Sequence, residues 1–346
     1  CYAVTDELPA ALRIYDLQYL PDSVPLIYDK TGLGEKVHNI FQENERLYLL
    51  ANDLFRKGAA PASYPMSVLS IENPEKPELL SHMIPDSVSP PISIRHVHDA
   101  YVRNDTVYAS GADRGLYIID YTNPDQPELV SFIQNYPFKG YNHSSWLTKD
   151  GKTMVMADET HGKPLKVYDV SDPASPEYQA PMGASTDIRS IPHNPLIKDD
   201  LAYVSYYHKG LQIFDISDPS RPVKFLSADT YPQFTDDTIT GFEGCWGVYP
   251  FFSSGTIAAS DMTNGLYLYR IDTLVSSSRT ETFDVTTATV FQNQVDLRID
   301  AYQAKALTVS LYTMQGALVR QVNSATLSIG ENRLRISRLG ALNPGI

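Results

Sequence analysis

Short runs of alternating apolar and polar residues recur along most of the chain, separated by turns of Gly, Asn, Asp and Pro. Such alternation predicts half-buried β-strands. One phrase returns with few changes, as GLYIIDYTNPDQPELVS from Gly115, PLKVYDVSDPASPEY from Pro164 and GLQIFDISDPSRPVKFLS from Gly210. The Asx-Pro pairs of four successive copies begin at Asn73, Asn123, Asp172 and Asp218. The copies are therefore 46 to 50 residues apart, a period typical of β-propeller blades.

One complete repeat contains four strand-like runs. They are HDAYVRN from His98, DTVYASGAD from Asp105, then GLYIIDY and PELVSF. Four short runs joined by turn residues predict an antiparallel meander, with the first strand innermost. An aspartate closes the third strand in three copies, at Asp120, Asp169 and Asp215. We interpret it as structural, because its carboxylate can accept backbone N–H groups of the following turn.

The same pattern predicts an all-β fold with four complete blades and two partial ones. The inner strands are expected to begin at His38, His98, His143, His193 and Trp246. The residues before His38 supply three further strands of a blade that lacks its first strand. Because a closed ring leaves no sheet edge exposed, we expect an N-terminal part of the propeller to lie outside this sequence.

The blade pattern ends near Asp272. We therefore assign residues 1–272 to the propeller, the Ser/Thr-rich residues 273–286 to a linker, and residues 287–346 to a small β-sandwich. The sandwich stops at Pro344-Gly345-Ile346, as if truncated.

Composition excludes some partners. Acidic residues outnumber basic ones by 41 to 28, for a net charge of −13. A nucleic-acid-binding surface needs clustered Lys and Arg, so we expect no nucleic-acid partner. No apolar run approaches the ~20 residues that span a bilayer, so no transmembrane segment is expected. The chain contains two cysteines, and Cys245 is interpreted as a small buried apolar residue.

Histidines at one repeat position are the main chemical signal. His38, His98, His143 and His193 all open an inner strand, so their side chains should converge on the channel from successive blades. Trp246 takes the position of a histidine in the last blade and should interrupt the ring. Acidic or amide residues end the second strands and should surround the histidines: Asp6, Asn52, Asp53, Asp113, Asp158, Glu159 and Asp261. The candidate ligand-binding residues are His38, His98, Asp99, Asp113, His143, Asp158, His193 and Trp246.

Two interpretations of these histidines stay open. The four imidazoles could bind a divalent metal ion, because neutral imidazole with carboxylate support suits Zn, Cu, Fe or Mn. Alternatively, each ring could cap its blade by donating an N–H to a carbonyl of a neighbouring blade. No spacing such as HExxH decides between them. The pair Glu159 and His161 is interpreted as part of an exposed loop rather than as an acid–base pair.

Two resemblances extend this picture. The blade phrases resemble the LVIVD-repeat propellers. The run FEGCWGVYPFFSSGTIAASD from Phe242, with HVHDA and YNHSSWLTKDGK, is similar to the choice-of-anchor B family over roughly residues 1–272. That family implies an extracellular seven-bladed propeller with a variable C-terminal anchor and no established activity. VSLYTMQGALVRQ from Val309 and GENRLRISRLGALNPGI from Gly330 resemble the C-terminal sorting domain of type IX secretion in Bacteroidetes.

Together these features predict a secreted or outer-cell-surface binding protein without catalytic turnover. Its partners would be an unidentified extracellular ligand or protein, on the His/Asp face, and the type IX secretion machinery. The alternative is a metal-dependent extracellular enzyme, a hydrolase or oxidoreductase, that uses the channel histidines.

Overall fold

The structure is a computed structural model that describes residues 1–6, 12–29, 34–55, 61–183, 190–232, 241–271, 283–291, 294–301, 305–312, 318–328 and 330–337. The chain divides into two compact units, Cys1–Ile271 and Asp272–Ile346. Of the predicted linker, residues 273–282 lie outside the described residues, and 283–286 belong to a strand. The terminal Pro344-Gly345-Ile346 also lies outside them.

The first unit consists of six consecutive antiparallel sheets. The first sheet contains β1 (Tyr2–Val4), β2 (Leu12–Tyr15) and β3 (Leu26–Asp29). The second contains β4 (Gly34–Glu43), β5 (Arg46–Phe55), β6 (Pro61–Ser70) and β7 (Glu78–His82). The third contains β8 (Asp99–Arg103), β9 (Thr106–Ser110), β10 (Leu116–Asp120) and β11 (Glu128–Ile133).

The remaining sheets follow in chain order. The fourth contains β12 (Asn142–Leu147), β13 (Thr153–Asp158), β14 (Leu165–Asp169) and β15 (Glu177–Met182). The fifth contains β16 (Pro195–Lys198), β17 (Leu201–Ser205), β18 (Leu211–Asp215) and β19 (Val223–Ala228). The sixth contains β20 (Cys245–Tyr249), β21 (Thr256–Asp261) and β22 (Gly265–Arg270). The described residues of the first unit thus form four complete and two partial blades, as predicted.

The sheets pack face to face in chain order. An apolar cluster fills each of the five junctions between successive described sheets. At the junction of the fourth and fifth sheets, for example, Val155 and Val167 pack with Val204 and Phe214. Strand β13 is buried at all six positions because both of its faces are covered. The inner strands β4, β8, β12 and β16 contact one another in succession. This arrangement is a β-propeller, confirming the all-β prediction.

The predicted structural aspartates behave as expected. Oδ1 of Asp120, Asp169 and Asp215 accepts the backbone N–H two residues further along, at 2.7, 2.8 and 2.9 Å. The hydrogen bonds from Ser171 and Ser217 lower the pKa of Asp169 and Asp215. These carboxylates close the turn after the third strand, so they are not available as site residues.

Asp158, a predicted ligand-binding residue, is instead part of a buried ion pair. Its Oδ2 lies 2.8 Å from Lys166 Nζ, and both side chains are fully buried. The Tyr136 hydroxyl and the Gly140 N–H also donate to its carboxylate, at 3.0 and 2.6 Å. The side chain therefore supports the blade from inside and does not face the channel.

The second unit is built from five strands in two sheets. Strands β23 (Phe283–Phe291), β24 (Gln294–Ala301) and β27 (Gly330–Ser337) form one sheet; β25 (Lys305–Tyr312) and β26 (Leu318–Leu327) form the other. Ile299 and Ala301 of the first of these sheets pack with Leu327 of the second in one small apolar cluster. The sandwich assignment stays a prediction. Across the described residues of both units, no helix is long and apolar enough to cross a bilayer.

One glycine position shows how tightly the fourth strand of a blade is packed. Gly115 and Gly210, just before the third strand, have φ of +81° and +70°. A Cβ at either position would lie 2.1 Å from a backbone oxygen, of Ile133 or Ala228. Gly265 holds the same position in the sixth sheet with φ +88°, but a Cβ there would meet nothing within 4 Å.

We expect Gly115→Ala and Gly210→Ala to destabilise the propeller by about 2–5 kcal/mol. They combine left-handed backbone strain of about 1–2 kcal/mol with overpacking of about 1–3 kcal/mol. Gly265→Ala is the matched control, and its free energy of unfolding should fall only by the backbone-strain contribution of about 1–2 kcal/mol. Urea unfolding followed by tryptophan fluorescence measures the first unit, which contains both tryptophans. Equal losses for the three variants would contradict the packing argument.

Removing the lysine of the buried Lys166–Asp158 pair should also destabilise the propeller. Lys166→Met leaves the Asp158 carboxylate buried without its countercharge, so we expect a loss of about 3–5 kcal/mol. Lys163→Met changes the net charge equally at a more exposed position and should change stability by less than about 0.5 kcal/mol. The same unfolding measurement tests both. A loss below about 1 kcal/mol in Lys166→Met would show that Asp158 is stabilised without its lysine.

Candidate ligand site in the propeller channel

Two of the channel residues lie at β-bulges. The pairing of β12 with β13 shifts register between Asn142 and Ser144, so His143 is the extra residue. The pairing of β20 with β21 shifts in the same way between Cys245 and Gly247, at Trp246. A bulge bends the strand and redirects the extra side chain. The two bulges therefore place an imidazole and an indole at equivalent points of the fourth and sixth sheets.

The residue before each bulge is paired with the preceding blade. Asn142 and Ala112 exchange two backbone hydrogen bonds of 3.1 Å, and Cys245 and Tyr207 exchange two of 2.9 Å. Ala112 and Tyr207 adopt positive φ, at 55° and 43°. These pairs join the inner strand of one blade to the turn after the second strand of the previous blade.

The start of the inner strand is hydrogen-bonded to the preceding blade in the second and fourth sheets, but to its own sheet in the third and fifth. Val37, before His38, donates its N–H to the Thr5 carbonyl of the first sheet at 2.9 Å. His98 and His193 instead donate their backbone N–H groups within their own sheets, to Ser110 at 2.8 Å and Ser205 at 2.9 Å.

The four histidines form a continuous row across successive blades. Ring centroids are 4.2 Å apart for His38 and His98, 4.2 Å for His98 and His143, and 4.3 Å for His143 and His193. Trp246 continues the row, 4.9 Å from His193. The predicted convergence of the four histidines is therefore observed, and Trp246 extends the row where an interruption was expected.

An aromatic cluster fills the axis at the other end of the inner strands. Trp146 packs against Phe41, Tyr101 and Phe251 with centroid separations of 5.9, 4.9 and 5.7 Å. These residues come from the second, third, fourth and sixth blades, so the cluster packs four blades together beside the histidine row.

The row borders a cavity of about 300 Å³. The cavity is lined by His38, Asn39, His98, His143, Glu159, His193, Asn194, Leu196, Trp246, Gly247 and Val248. Three predicted site residues are absent from this lining. Asp158 is held in its ion pair with Lys166, and Asp113 lies exposed on the turn after β9. The predicted ring of carboxylates around the histidines is thus not formed by these residues.

Asp99 has a different position beside the cavity. It is buried and accepts a hydrogen bond of 2.7 Å from Asn194 Nδ2, joining the third and fifth sheets. Burial raises the pKa of Asp99 to about 6, although the hydrogen bonds from Ala100 and Asn194 oppose the shift. Its carboxylate therefore links the third and fifth sheets beside the channel.

Glu159 is the carboxylate that reaches the histidines. Its Oε2 lies 3.8 Å from His143 Nε2, and its Oε1 lies 3.9 Å from His193 Nε2. The Tyr207 hydroxyl donates a short hydrogen bond to Oε1 and orients the side chain. From the sequence, Glu159 is placed with Asp158 among the carboxylates around the histidines, but it is assigned to an exposed loop and is not selected as a site residue. The available signal was its position one residue after Asp158, since successive side chains of an extended chain point to opposite sides.

A second carboxylate pairs with the first histidine of the row. Asp6 Oδ2 lies 2.6 Å from His38 Nδ1. This contact occupies Nδ1 of His38, whereas Nδ1 of the three histidines that follow has no described partner.

Burial keeps the central histidines neutral. It lowers the pKa of His98 and of His193 to about 3, and the pKa of His143 well below its usual range. Neighbouring imidazoles add to the shift of His143. Burial also raises the pKa of Glu159, against the hydrogen bond from Tyr207.

The buried ring nitrogens bear on the capping interpretation. Nδ1 of His98, His143 and His193 is buried and has no hydrogen-bond partner among the described residues. The His143 ring is hydrogen-bonded to the backbone of His193, and the His193 ring to the backbone of Trp246; both bonds oppose the lowering of the pKa. Such bonds to the next blade are of the predicted capping kind. The three Nδ1 atoms are nevertheless left without a described partner, and an unpaired buried polar atom is costly.

His98, His143 and Glu159 bring three possible metal-ligand atoms within 4.8 Å of one another. Two neutral imidazoles and a carboxylate are ligands that Zn²⁺ and its neighbours accept. Ligand atoms around tetrahedral zinc lie about 3.3 Å apart, given bonds of about 2.0–2.1 Å. The ligand atoms would therefore have to approach one another by up to about 1.5 Å. His193 borders this group, and His38 lies beyond His98.

Comparisons with known proteins agree with the fold. The LVIVD repeat family matches residues 196–230, the fifth sheet. No curated protein matches the sequence. A solved "putative 6-phosphogluconolactonase" from Bacteroides fragilis is 9% identical with a TM-score of 0.57, covering 96% of each chain. One from Bacteroides uniformis is 16% identical with a TM-score of 0.56, covering 78% of this chain and 77% of that one.

A third similar structure is a protein from Lactobacillus plantarum. It is 12% identical with a TM-score of 0.55, over 96% of this chain and 98% of that one. Identities this low establish the fold alone. The chain is thus a β-propeller that carries an LVIVD repeat, while the likeness to the choice-of-anchor B family and to the type IX sorting domain stays a prediction.

Proposed function

We propose that this chain is a secreted or cell-surface binding protein that holds a divalent transition-metal ion in its channel without catalytic turnover. The observation that carries the proposal is the cluster of His98, His143 and Glu159 beside a cavity, with buried ring nitrogens that lack partners. The rings of His143 and His193 also hydrogen-bond the backbone of the next blade, but their Nδ1 atoms and that of His98 have no described partner.

Electrostatics support a cation in this place. A ligating imidazole must be neutral, and burial provides neutral rings at His98 and His143. Glu159 adds a carboxylate that Tyr207 holds in position. Such a hydrogen bond to a ligating carboxylate orients it and supports metal affinity.

The location proposed for the protein rests on its tail. The likeness of residues 309–346 to a type IX sorting domain and of the blades to an extracellular family supports export to the surface or the medium. A seventh blade outside this sequence is part of the same proposal, because the family it resembles has seven.

Zinc binding tests the site directly. We expect the untagged full chain to bind one Zn²⁺ in calorimetric titration at pH 7.5. His143→Ala should abolish binding, and Glu159→Gln should weaken it about 10–100-fold, the range seen when groups that support a metal site are removed. His161→Ala, on the same loop but outside the cavity lining, should bind as the unchanged protein does. No stoichiometric binding, or equal binding by His143→Ala, would contradict the proposal.

Truncation tests the role of the tail. In a host with type IX secretion, a chain ending at residue 286 should stay inside the cell while the full chain reaches the surface or medium. The tryptophan-monitored melting temperature of the truncated propeller should stay unchanged, because an address signal contributes nothing to its core. A fall of more than about 4 °C, corresponding to about 1–2 kcal/mol in a domain of this size, would mean that residues 287–346 stabilise the propeller.

A further inference from the structure

The channel cavity has two chemically different walls. His98, His143 and Glu159 provide nitrogen and oxygen donors on one side. Leu196, Trp246 and Val248, from the fifth and sixth sheets, provide apolar surface. Small-molecule sites commonly combine an apolar lining with a few convergent polar groups.

The channel cavity is larger than a bound metal ion requires. About 300 Å³ corresponds to roughly ten water molecules at ~30 Å³ each. This volume lies at the lower end of the range for small-molecule pockets. Three protein donors also leave coordination positions of the metal open, as at zinc sites that accept a further ligand.

Trp246 differs from the histidines in its exposure. His143 and His193 are 3% and 5% exposed, whereas Trp246 keeps 49% of its surface accessible. The bulge between Cys245 and Gly247 turns the indole into the row, where it lines the cavity beside His193. An indole that is half exposed at a cavity wall offers an aromatic face for stacking.

We infer that the metal-loaded channel binds a small organic ligand with two parts, an anionic metal-binding head and a flat aromatic body that stacks on Trp246. This inference rests on the proposed metal site. The head would complete the coordination left open by His98, His143 and Glu159. The body would cover Trp246 and Val248, removing apolar surface from water.

Two hydroxamates with the same head test the inference. Benzohydroxamate carries a phenyl group where acetohydroxamate has a methyl group. We expect the zinc-loaded full chain to bind benzohydroxamate at least 10-fold more tightly in calorimetric titration. Trp246→Ala should bring the two affinities within about 2-fold while leaving zinc affinity unchanged. Trp246→Phe, which keeps an aromatic face, should retain most of the preference.

The outcomes separate the two proposals. If zinc binds but neither hydroxamate does, or if both bind equally, the inference is wrong and the metal site stands. A preference that survives in Trp246→Ala would also overturn the role of the indole. If zinc itself does not bind, the proposed function is wrong and this inference fails with it. Unchanged zinc affinity in both Trp246 variants serves as the check that the channel is intact.

Discussion

The backbone hydrogen bonds that hold the start of each inner strand are the constraint on which the channel depends. In the fourth and sixth sheets they reach the preceding blade: Asn142 pairs with Ala112 and Cys245 with Tyr207, each through two hydrogen bonds. Each pair fixes the residue just before a bulge, so the next side chain enters the channel. His98 and His193 are instead fixed within their own sheets, by hydrogen bonds to Ser110 and Ser205.

Burial determines the protonation state of the side chains in the channel. The imidazoles lie too close together, and too far from water, to carry charge, so they are neutral donors and acceptors. Glu159 is oriented by Tyr207 from the next blade, whereas Asp158 is neutralised by Lys166 inside its own blade. Two adjacent acidic residues thus have opposite roles, one toward the cavity and one in the core.

Much of the fold could be read from local pattern. The period of the repeat, the alternation of its runs and the Asx-Pro turns predicted four complete and two partial blades. The aspartates after the third strands were correctly interpreted, because an Asx turn involves residues only two positions apart. The convergence of His38, His98, His143 and His193 also followed from their shared repeat position.

Local pattern was thus sufficient to predict the type of fold, the blades formed by the described residues and the row of histidines. The carboxylate that meets this row could be identified only from the packing of the blades. Side chains alternate along a strand, so a shift of one residue separates Asp158 in the core from Glu159 at the cavity. Bulges and inter-blade hydrogen bonds set that register, and they join residues 30 or more positions apart, whose pairing no local pattern records.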